Sequence, residues 1–397
     1  MNYILFDDNT WEQLLPLTFT RPVSEIRVGI LTIKEKWERY LKTGCSYHTK
    51  DYLRVKFPVK INADNIFINS SVIPTAELLS EIENLELGQI LKHNETVCAL
   101  RIDKKGAQNF NLEKYYTENS IQTITNCIKI DHPWDIFRMN GEGIEFDFKI
   151  VTKGQKSQTI SKTNTVIGNN NIFIEQGATV ECATLNTTNG PIYIGKNAEV
   201  MERSSIRGPF ALCNNSVIKM GARIYGATTI GPHSKVGGEV SNLVIIGYSN
   251  KGHDGFLGNS VIGEWCNIGA DTNSSNLKNN YSEVKLWNYI DNRFVKTGLQ
   301  FCGLIMGDHS KCGINTMFNT GTVIGVSANI FGAGFPRSFI PSYAWGGAHG
   351  FTETKLNKAF EVANLVMIRR DIEFTEADKQ ILTNVFNLTA KYRERFD

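Results

Sequence analysis

The sequence lacks the features typical of membrane, secreted and nucleic-acid-binding chains. It contains no apolar run near the roughly 18 residues that a bilayer-spanning helix needs. Its first six residues lead directly to Asp7 and Asp8, which argues against a signal peptide. Its 42 Lys and Arg nearly balance its 40 Asp and Glu, and the cations are dispersed. We therefore expect a cytoplasmic protein without a nucleic-acid or membrane partner.

Metal-binding and disulfide patterns are also missing. The chain has eight cysteines but no C-x-x-C pair or other metal-ligand spacing. We expect these thiols to be reduced and to pack as small hydrophobic groups, as for Cys312. The chain has 397 residues, of which 41% are hydrophobic, so two or three folded domains are expected.

A six-residue spacing of apolar side chains dominates the middle of the chain. Such a period fits neither a helix nor a free strand; it is typical of short parallel strands that turn a corner every six residues and stack as coils. Each corner would bury one side chain, which makes these positions a folding core. The positions are Ile194, Val200, Ile206, Leu212, Ile218, Ile224, Ile230 and Val236, followed by Met306, Cys312, Phe318, Ile324 and Ile330.

The segments on either side of this repeat have different patterns. Residues 1–155 predict an α/β domain with strands at 3–6, 66–68 and 96–102, and with helices at 33–41 and from Thr75. The repeat occupies 156–348, except for a loop predicted at 271–299. Residues 349–397 predict a helical tail, in which Thr375 and Asp378 form a capping box.

Residues 249–276, SNKGHDGFLGNSVIGEWCNIGADTNSSN, resemble the acetyltransferase half of a known enzyme family. This is the bifunctional N-acetylglucosamine-1-phosphate uridyltransferase / glucosamine-1-phosphate acetyltransferase family. Its motifs are Lys-Ala-Gly-His, Leu-Gly, Asn-Ile-Gly-Ala-Gly-Thr and Cys-Asn-Tyr. The whole chain is more similar still to the Bacteroidetes-type variant. The resemblance implies a left-handed parallel β-helix of hexapeptide repeats, which assembles as a homotrimer.

The resemblance also implies roles for particular residues. His253 would be the general base that removes a proton from the amine of an amino sugar as it attacks acetyl-CoA, and an imidazole suits this task at neutral pH. Other positions match the family's sugar and acetyl-CoA sites. The sugar would contact Asn276 and Arg293, and acetyl-CoA would lie against Thr316, Ala333, Gly334 and Arg337.

Three departures from the family affect the sugar site. Phe256 replaces a tyrosine, so a hydroxyl that contacts the sugar is missing. Asn242 and Leu243 replace a lysine pair that grips the sugar phosphate, and we expect Arg207 or Lys219 to serve instead. An insertion also lengthens the loop at 277–295.

The amino-terminal domain carries a second resemblance. Residues 15–29, LPLTFTRPVSEIRVG, resemble the P-L-T-x-x-R-P-K stretch of sugar-1-phosphate nucleotidyltransferases. The glycine-rich phosphate loop that precedes it in that family is replaced here, and Val23 stands in place of the lysine. The remaining candidates are phosphate ligands, Arg21, Arg27, Lys36 and Asp8, and Mg²⁺ ligands, Asp7, Asp64 and also Asp8.

The leading hypothesis is an acetyl-CoA-dependent transferase acting on an amino-sugar phosphate, with a diverged nucleotidyltransferase domain, in the synthesis of cell-envelope sugar nucleotides. One alternative places the main activity in nucleotidyl transfer from UTP or dTTP to a sugar 1-phosphate. Another is a non-catalytic sugar-nucleotide-binding protein. A zinc site formed by His233, His253 and His309 is a further alternative, although they lack a closely spaced pair.

Overall fold

A computed structural model describes residues 1–115, 120–169 and 171–394. The chain forms two compact units. The first comprises residues 1–14, 20–26 and 31–132, and the second comprises 15–19, 27–30 and 133 onward. Two short segments of the motif at 15–29 thus belong to the second unit. The domain boundary at residue 155 stays a prediction.

The first unit is an α/β domain built on a six-stranded mixed sheet. Asn2–Phe6 pairs in parallel with Ser46–His48 on one side and with Asp64–Asn69 on the other. In spatial order the strands are Ser46–His48, Asn2–Phe6, Asp64–Asn69, Thr96–Asp103, Ile90–His93 and Ser120–Gln122. The helices are Thr10–Gln13, Ile33–Leu41, Ala76–Glu83 and Lys104–Gln108, with 3₁₀ turns at Val23–Glu25, Asp51–Leu53 and Leu112–Tyr115. The strands and helices predicted from the sequence are confirmed.

The second unit is a parallel β-solenoid, as the six-residue period predicts. Phe210 pairs with Ile192 in the coil below and with Thr228 in the coil above. Equivalent positions are thus 18 residues apart (210 − 192), which is three six-residue repeats per coil. Because most of its strands are only two or three residues long, the solenoid is held mainly by the stacking of coils.

The strands form three columns, one for each face of the solenoid. Face 1 contains Thr165–Ile167, Thr184–Asn186, Ser205–Arg207, Arg223–Tyr225, Asn273–Ser274 and Met317–Phe318. Face 2 contains Ile172–Ile174, Ile192–Ile194, Phe210–Leu212, Thr228–Ile230, Ile305–Met306, Val323–Ile324 and Phe339–Ile340. Two longer strands, Glu239–Gly247 and Phe256–Glu264, run from face 1 to face 2. Face 3 contains Thr179–Val180, Glu199–Val200, Val217–Ile218, Lys235–Val236, Asn250–Lys251, Asn267–Ile268, Lys311–Cys312, Asn329–Ile330 and Ala344–Gly347, closed by the antiparallel strand Gly350–Glu353.

The repeated apolar side chains fill the centre of the solenoid. Ile194, Leu212 and Ile230 are fully buried, and the other predicted core positions are buried in the same cluster. Burying one aliphatic side chain contributes about 1.5–3 kcal/mol, so this column is the main stabilising element of the unit.

The predicted loop lies later in the chain than the sequence pattern indicates. The coil continues through Asn273–Ser274, which pairs with Met317–Phe318. The excursion is bracketed by a bridge between Leu277 and Phe301 and carries an antiparallel hairpin, Lys285–Asn288 with Arg293–Lys296. Residues 271–275 are polar, so the apolar repeat is not visible there in the sequence. The coil continues because small side chains such as the buried Ser274 can occupy the inward positions.

Four helices complete the second unit. Pro133–Arg138 and Asn140–Thr152 precede the solenoid, and Leu356–Ile368 and Glu376–Leu388 follow it, before a 3₁₀ turn at Ala390–Tyr392. The predicted capping box is confirmed: Thr375 and Asp378 each accept a hydrogen bond from the other's backbone N–H. The last three residues of the predicted helical tail, 395–397, lie outside the described residues. No helix in the described part of the chain has both the length and the apolar character needed to span a membrane.

Candidate functional site on the solenoid

His253 lies on the exposed corner between faces 3 and 1 of the solenoid. The corner is tightly packed beneath it. A Cβ on Gly238, in the coil below, would lie 2.9 Å from the carbonyl oxygen of His253. Gly255 has φ +113°, and a Cβ there would lie 2.2 Å from the carbonyl oxygen of Thr272. Only glycine fits at these two positions, so the backbone that presents the imidazole is fixed.

Lys251 anchors the same corner from inside. Its Nζ donates a hydrogen bond of 2.7 Å to the carbonyl oxygen of His253, and its side chain is buried. Burial lowers the pKa of Lys251 to about 8. The ammonium therefore stabilises the backbone conformation of the corner and leaves the imidazole facing solvent.

An ion-pair group flanks the histidine. Arg223 Nε lies 3.2 Å from Glu239 Oε2, and Arg223 Nη2 lies 3.9 Å from Asp254 Oδ1. These side chains are exposed, so each pair contributes little to stability. Their position beside His253 makes them candidates to orient a charged substrate.

Asn276 and Phe256 meet over Gly258, on the strand that follows His253. A Cβ on Gly258 would lie 2.6 Å from Asn276 Nδ2 and 2.6 Å from Phe256 Cζ. Asn276 Nδ2 donates to Asn259 Oδ1 at 2.8 Å. Asn276, the side chain predicted to hold the sugar, is therefore held in place on the coil that follows the coil of His253. The absent Cβ at Gly258 leaves room for both side chains.

The structure places several other predicted residues along this corner, which we call the ridge. Lys219 lies on the ridge two coils below His253, since Gly237, in the intervening coil, lies against both Lys219 and Gly252. Thr316 lies two coils above, because backbone hydrogen bonds link Asp271 to Asp254 and Asn315 to Ala270. Its hydroxyl donates to the carbonyl oxygen of Gly313 at 2.8 Å, so its contact there is structural.

Three further predicted residues lie above and below these. Ala333 and Gly334 follow Phe331, which packs against Gly313 one coil higher on the ridge. Arg207 is exposed on face 1. The pairing of neighbouring strands places it three coils below Gly258, or roughly 14 Å at the usual strand spacing. Lys219 is thus better placed than Arg207 to reach a phosphate group near His253.

Arg337 lies in a different place, on a groove of about 780 Å³ beside the inserted hairpin. Trp287 and Phe339 stack with ring centroids 4.2 Å apart, and Tyr392 and Lys391 complete the lining. Arg293, at the start of the second hairpin strand, is exposed and pairs with Asp291 at 3.5 Å. In the described structure, Arg293 shows no contact with Asn276, its predicted neighbour at the sugar.

The first unit has its own candidate site, at the carboxyl end of the strand Asn2–Phe6. The parallel neighbours of Asn2–Phe6 lie on opposite sides of it, and such a switch point forms a crevice in open α/β sheets. Asp7 accepts hydrogen bonds from Val23 N at 3.1 Å and from Thr49 Oγ1 at 2.5 Å. Burial raises the pKa of Asp7 to about 7, despite these hydrogen bonds.

Asp8 is the second carboxylate in this crevice. Burial opposes its ionisation, but the Lys129 ammonium at 3.4 Å, with hydrogen bonds from Asn69 and Thr10, more than offsets burial and lowers the pKa of Asp8. Asn69 Nδ2 also donates to the carbonyl oxygen of Val97 at 3.1 Å. Sequence reasoning missed Lys129 and Asn69. The available signal was that Asn69 directly follows the strand predicted at 66–68.

Two predicted residues of the first unit do not join this group. Asp64 begins the strand Asp64–Asn69, whereas Asp7 follows the end of Asn2–Phe6, and the register pairs Asn2 with Asn65. Asp64 therefore lies at the opposite end of the sheet, where Arg101 binds both carboxylate oxygens, at 2.7 and 3.0 Å. Of the candidate Mg²⁺ ligands, Asp64 therefore could not bind the same ion as Asp7. Lys36 is fully buried in the helix Ile33–Leu41.

Arg27 also differs from the prediction. It belongs to the second unit, where its guanidinium donates to the backbone carbonyls of Ile246 and Ile30. Gly29 N and Ile30 N donate to Asn140 Oδ1 and Asp147 Oδ2, both at 2.8 Å. The backbone and side-chain donors at this end of the 15–29 motif are therefore used in packing within the second unit. Arg21 stays in the first unit and is buried.

The described residues form no preformed cage for a magnesium ion, although one or two carboxylates together with substrate phosphates are enough to hold this ion. Protein donors already bind the carboxylates of Asp7 and Asp8. Within residues 1–115, 120–169 and 171–394, no three His, Cys, Asp or Glu side chains form a group that could hold a metal ion. The three histidines of the zinc alternative are also separated: His233 stacks on Tyr248 and His309 on Trp265, whereas His253 lies on the ridge.

Comparison with known proteins finds one matching family model and several relatives that match part of the chain. Residues 3–156 match the family model described as sugar nucleotidyl transferase. A bifunctional sugar-1-phosphate nucleotidylyltransferase/acetyltransferase of Sulfurisphaera tokodaii is 28% identical over 144 residues, covering 36% of this chain and 35% of that protein. The bifunctional protein GlmU of Methanococcus maripaludis is 28% identical over 206 residues, covering 51% and 43%.

The chain is similar over part of its length to bifunctional nucleotidyltransferase/acetyltransferases. The family resemblance and the fold class predicted from the sequence are confirmed at this level. The chain spans less than half the length of these relatives, so its own activity remains to be proposed. Among solved structures, LpxA of Bacteroides fragilis, described as a UDP-N-acetylglucosamine acyltransferase, is 15% identical, with a TM-score of 0.25 over 59% of this chain and 84% of that one.

Proposed function

We propose that the solenoid transfers an acetyl group from acetyl-CoA to the amine of an amino-sugar phosphate, with His253 as the general base. The observation that carries the proposal is the position of His253. It is exposed on a rigid corner, the strand that follows it holds the Asn276 and Phe256 pair at Gly258, and Lys219 lies on the same ridge. A base in solvent contact next to pre-positioned polar groups is what amine acylation requires.

The proposed reaction assigns a task to each group. His253 takes the proton from the amine as its nitrogen attacks the thioester carbonyl carbon. The C–S bond then breaks, and coenzyme A leaves as a thiolate, which takes up a proton. Asn276 would hold a sugar hydroxyl, and Lys219 would attract the sugar phosphate. Phe256 offers only an apolar face, so the acceptor loses one hydrogen bond relative to a tyrosine site.

The decisive test is replacement of His253. His253→Ala should lower kcat about 10²–10⁴-fold, which is the usual contribution of a positioned base. Free coenzyme A thiol would be measured with a panel of amino-sugar phosphates as acceptors. His349→Ala is the matched control, because His349 is also an exposed histidine of the second unit. A loss smaller than tenfold in His253→Ala would refute the proposed base.

The second element of this proposal is assembly as a homotrimer. Large apolar side chains are exposed along the ridge and on its neighbouring strands: Met220 (66%), Ile314 (70%) and Phe335 (54%). Neighbouring copies of the chain packed along the ridge would cover these side chains. We expect light scattering on a sizing column to give three times the chain mass of 44.5 kDa. A monomer at micromolar concentration would contradict it.

The crevice of the first unit supports a second candidate activity, nucleotidyl transfer to a sugar 1-phosphate. The Asp8–Lys129 pair provides a cation at a sheet edge where phosphates often bind. Pyrophosphate release from UTP or dTTP with a hexose 1-phosphate would be measured in wild type, Arg21→Ala and Lys129→Ala. Loss of release in both variants would support this activity.

The same measurements separate the remaining alternatives. No release in wild type, with tight sugar-nucleotide binding, would favour a binding protein. Activity insensitive to both substitutions would exclude the crevice as the catalytic site. A cytoplasmic location is consistent with these soluble substrates and stays a prediction.

A further inference from the structure

Two cysteines of the first unit, Cys98 and Cys127, lie in direct contact. Their Sγ atoms are 3.0 Å apart. A disulfide bond is about 2.05 Å long, so a movement of about 1 Å would bring the sulfurs to bonding distance. Cys98 lies in the strand Thr96–Asp103, and Cys127 lies in the segment that precedes Lys129. The two are 29 positions apart in the sequence, so tertiary structure alone brings them together.

The two thiols differ in ways that suit them to separate chemical steps. Cys98 is fully buried, whereas Cys127 is partly exposed and therefore accessible to a small oxidant. The Cys98 thiol, acting as hydrogen-bond donor, lowers the pKa of Cys127, and the same contact raises the pKa of Cys98. The thiolate is the reactive form, so Cys127 is the expected site of attack on an oxidant and Cys98 the resolving thiol.

The segment that carries Cys127 is fixed at several points. Ile73 N donates to the carbonyl oxygen of Ile128 at 2.8 Å, and Ile130 N donates to the carbonyl oxygen of Ser71 at 3.1 Å. These hydrogen bonds keep Cys127 against Cys98 in the folded state. The contact does not depend on a mobile loop finding its partner.

The pair also borders the crevice. Lys129, two residues after Cys127, pairs with Asp8, and Asn69 bonds both to Asp8 and to the carbonyl oxygen of Val97, the residue before Cys98. A bond between the two sulfurs would therefore tie the segment of Lys129 to the strand next to Asn69. Oxidation would restrict Lys129 relative to Asp8.

We propose that Cys98 and Cys127 form a reversible disulfide when the protein meets a hydroperoxide, and that this bond constrains Lys129 at the crevice. The Cys127 thiolate attacks one peroxide oxygen, the O–O bond breaks, and the departing hydroxide takes up the thiol proton to leave as water. The sulfenic acid on Cys127 is then attacked by the Cys98 sulfur, which forms the S–S bond and releases a second water. Two thiols and one hydrogen peroxide thus give one disulfide and two waters.

The test uses the full-length chain, treated with hydrogen peroxide and with dithiothreitol in separate samples. The oxidised sample should lose two hydrogens in intact mass, and non-reducing digestion should yield a cross-linked peptide pair containing Cys98 and Cys127. Dithiothreitol should restore both. Cys182→Ser is the matched control, because Cys182 is an exposed cysteine that should not affect the cross-link.

A second variant tests the first step separately, by trapping the sulfenic acid before a disulfide forms. Cys98→Ala should leave Cys127 as a sulfenic acid, which a dimedone probe would label, whereas Cys127→Ser should abolish both label and cross-link. Because a cross-link constrains the unfolded chain, oxidised wild type should show a higher Tm than reduced wild type. A disulfide between other cysteines, or dimedone labelling unchanged by Cys127→Ser, would overturn the proposal. These readouts do not depend on either catalytic activity.

Discussion

Replacing Asp7 with asparagine should make the first unit more stable at neutral and alkaline pH and leave it unchanged at acidic pH. Burial raises the pKa of Asp7 from 3.8 to about 7 in the folded state. A group whose pKa rises on folding binds more protons in the native state than in the unfolded state. The contribution of Asp7 to the free energy of unfolding of wild type is therefore fully present below about pH 4 and is lost as the pH rises through 7. Asparagine has the same shape and cannot ionise, so it removes this loss.

The expected size follows from the difference between the two pKa values. At about 1.36 kcal/mol per pKa unit, the full difference corresponds to about 4 kcal/mol, which is an upper limit because Asp7 keeps some contact with solvent. We expect the stability of Asp7→Asn relative to wild type to rise by about 1–4 kcal/mol between about pH 4 and about pH 8.5. Val23 N can still donate to the amide oxygen, and the Thr49 hydroxyl can accept from the amide nitrogen.

Hydrogen exchange is the appropriate assay, because a chain of two units need not unfold in one step. Exchange of the amides in Asn2–Phe6 would be measured by mass spectrometry across this pH range. The control is Asp51→Asn, since the Asp51 side chain is 91% exposed. A difference between Asp7→Asn and wild type that stays constant with pH would refute the reasoning. If addition of MgCl₂ removed the pH dependence of exchange in wild type, Asp7 would instead be a ligand of this ion.

Three further predictions concern the second unit. Gly258→Ala should keep the fold, because the added Cβ meets only the ends of the Asn276 and Phe256 side chains. It should displace both side chains and therefore raise KM for the sugar. Gly313→Ala is the control, because the nearest atom to its Cβ is 3.5 Å away, and KM should not change. Phe318→Ala should lower the free energy of unfolding in urea by about 3–5 kcal/mol, since Phe318 is fully buried. Met317, its neighbour in the strand, is 37% exposed, so Met317→Ala should lower it far less. Equal losses of stability in the two variants would contradict the inward orientation of Phe318. Arg337→Ala should raise KM for acetyl-CoA if the aromatic groove holds the donor's phosphates, and an unchanged KM would exclude this role.

The sequence by itself determined the solenoid and the position of its histidine. The six-residue period is visible in the sequence because each coil has one inward position per face. Ile194 and Leu212 occupy equivalent positions of neighbouring coils and pack in the same solenoid interior, so both must be apolar. The glycines around His253 are dictated by backbone contacts within and between neighbouring coils. Such local, repeated constraints leave a signal that can be read directly from the residues.

Only the tertiary structure decided which distant residues meet. Asp64 appeared equivalent to Asp7 in the sequence, but the register of two parallel strands puts them at opposite ends of the sheet. Lys129 and Cys127 reach the crevice and Cys98 from a segment with no motif of its own. Arg27 lies in the stretch that resembles the nucleotidyltransferase motif, yet its guanidinium donates to the backbone carbonyls of Ile246 in the solenoid and of Ile30. Strand order and long-range pairing set these contacts, and neither is encoded in the spacing of residues along the chain.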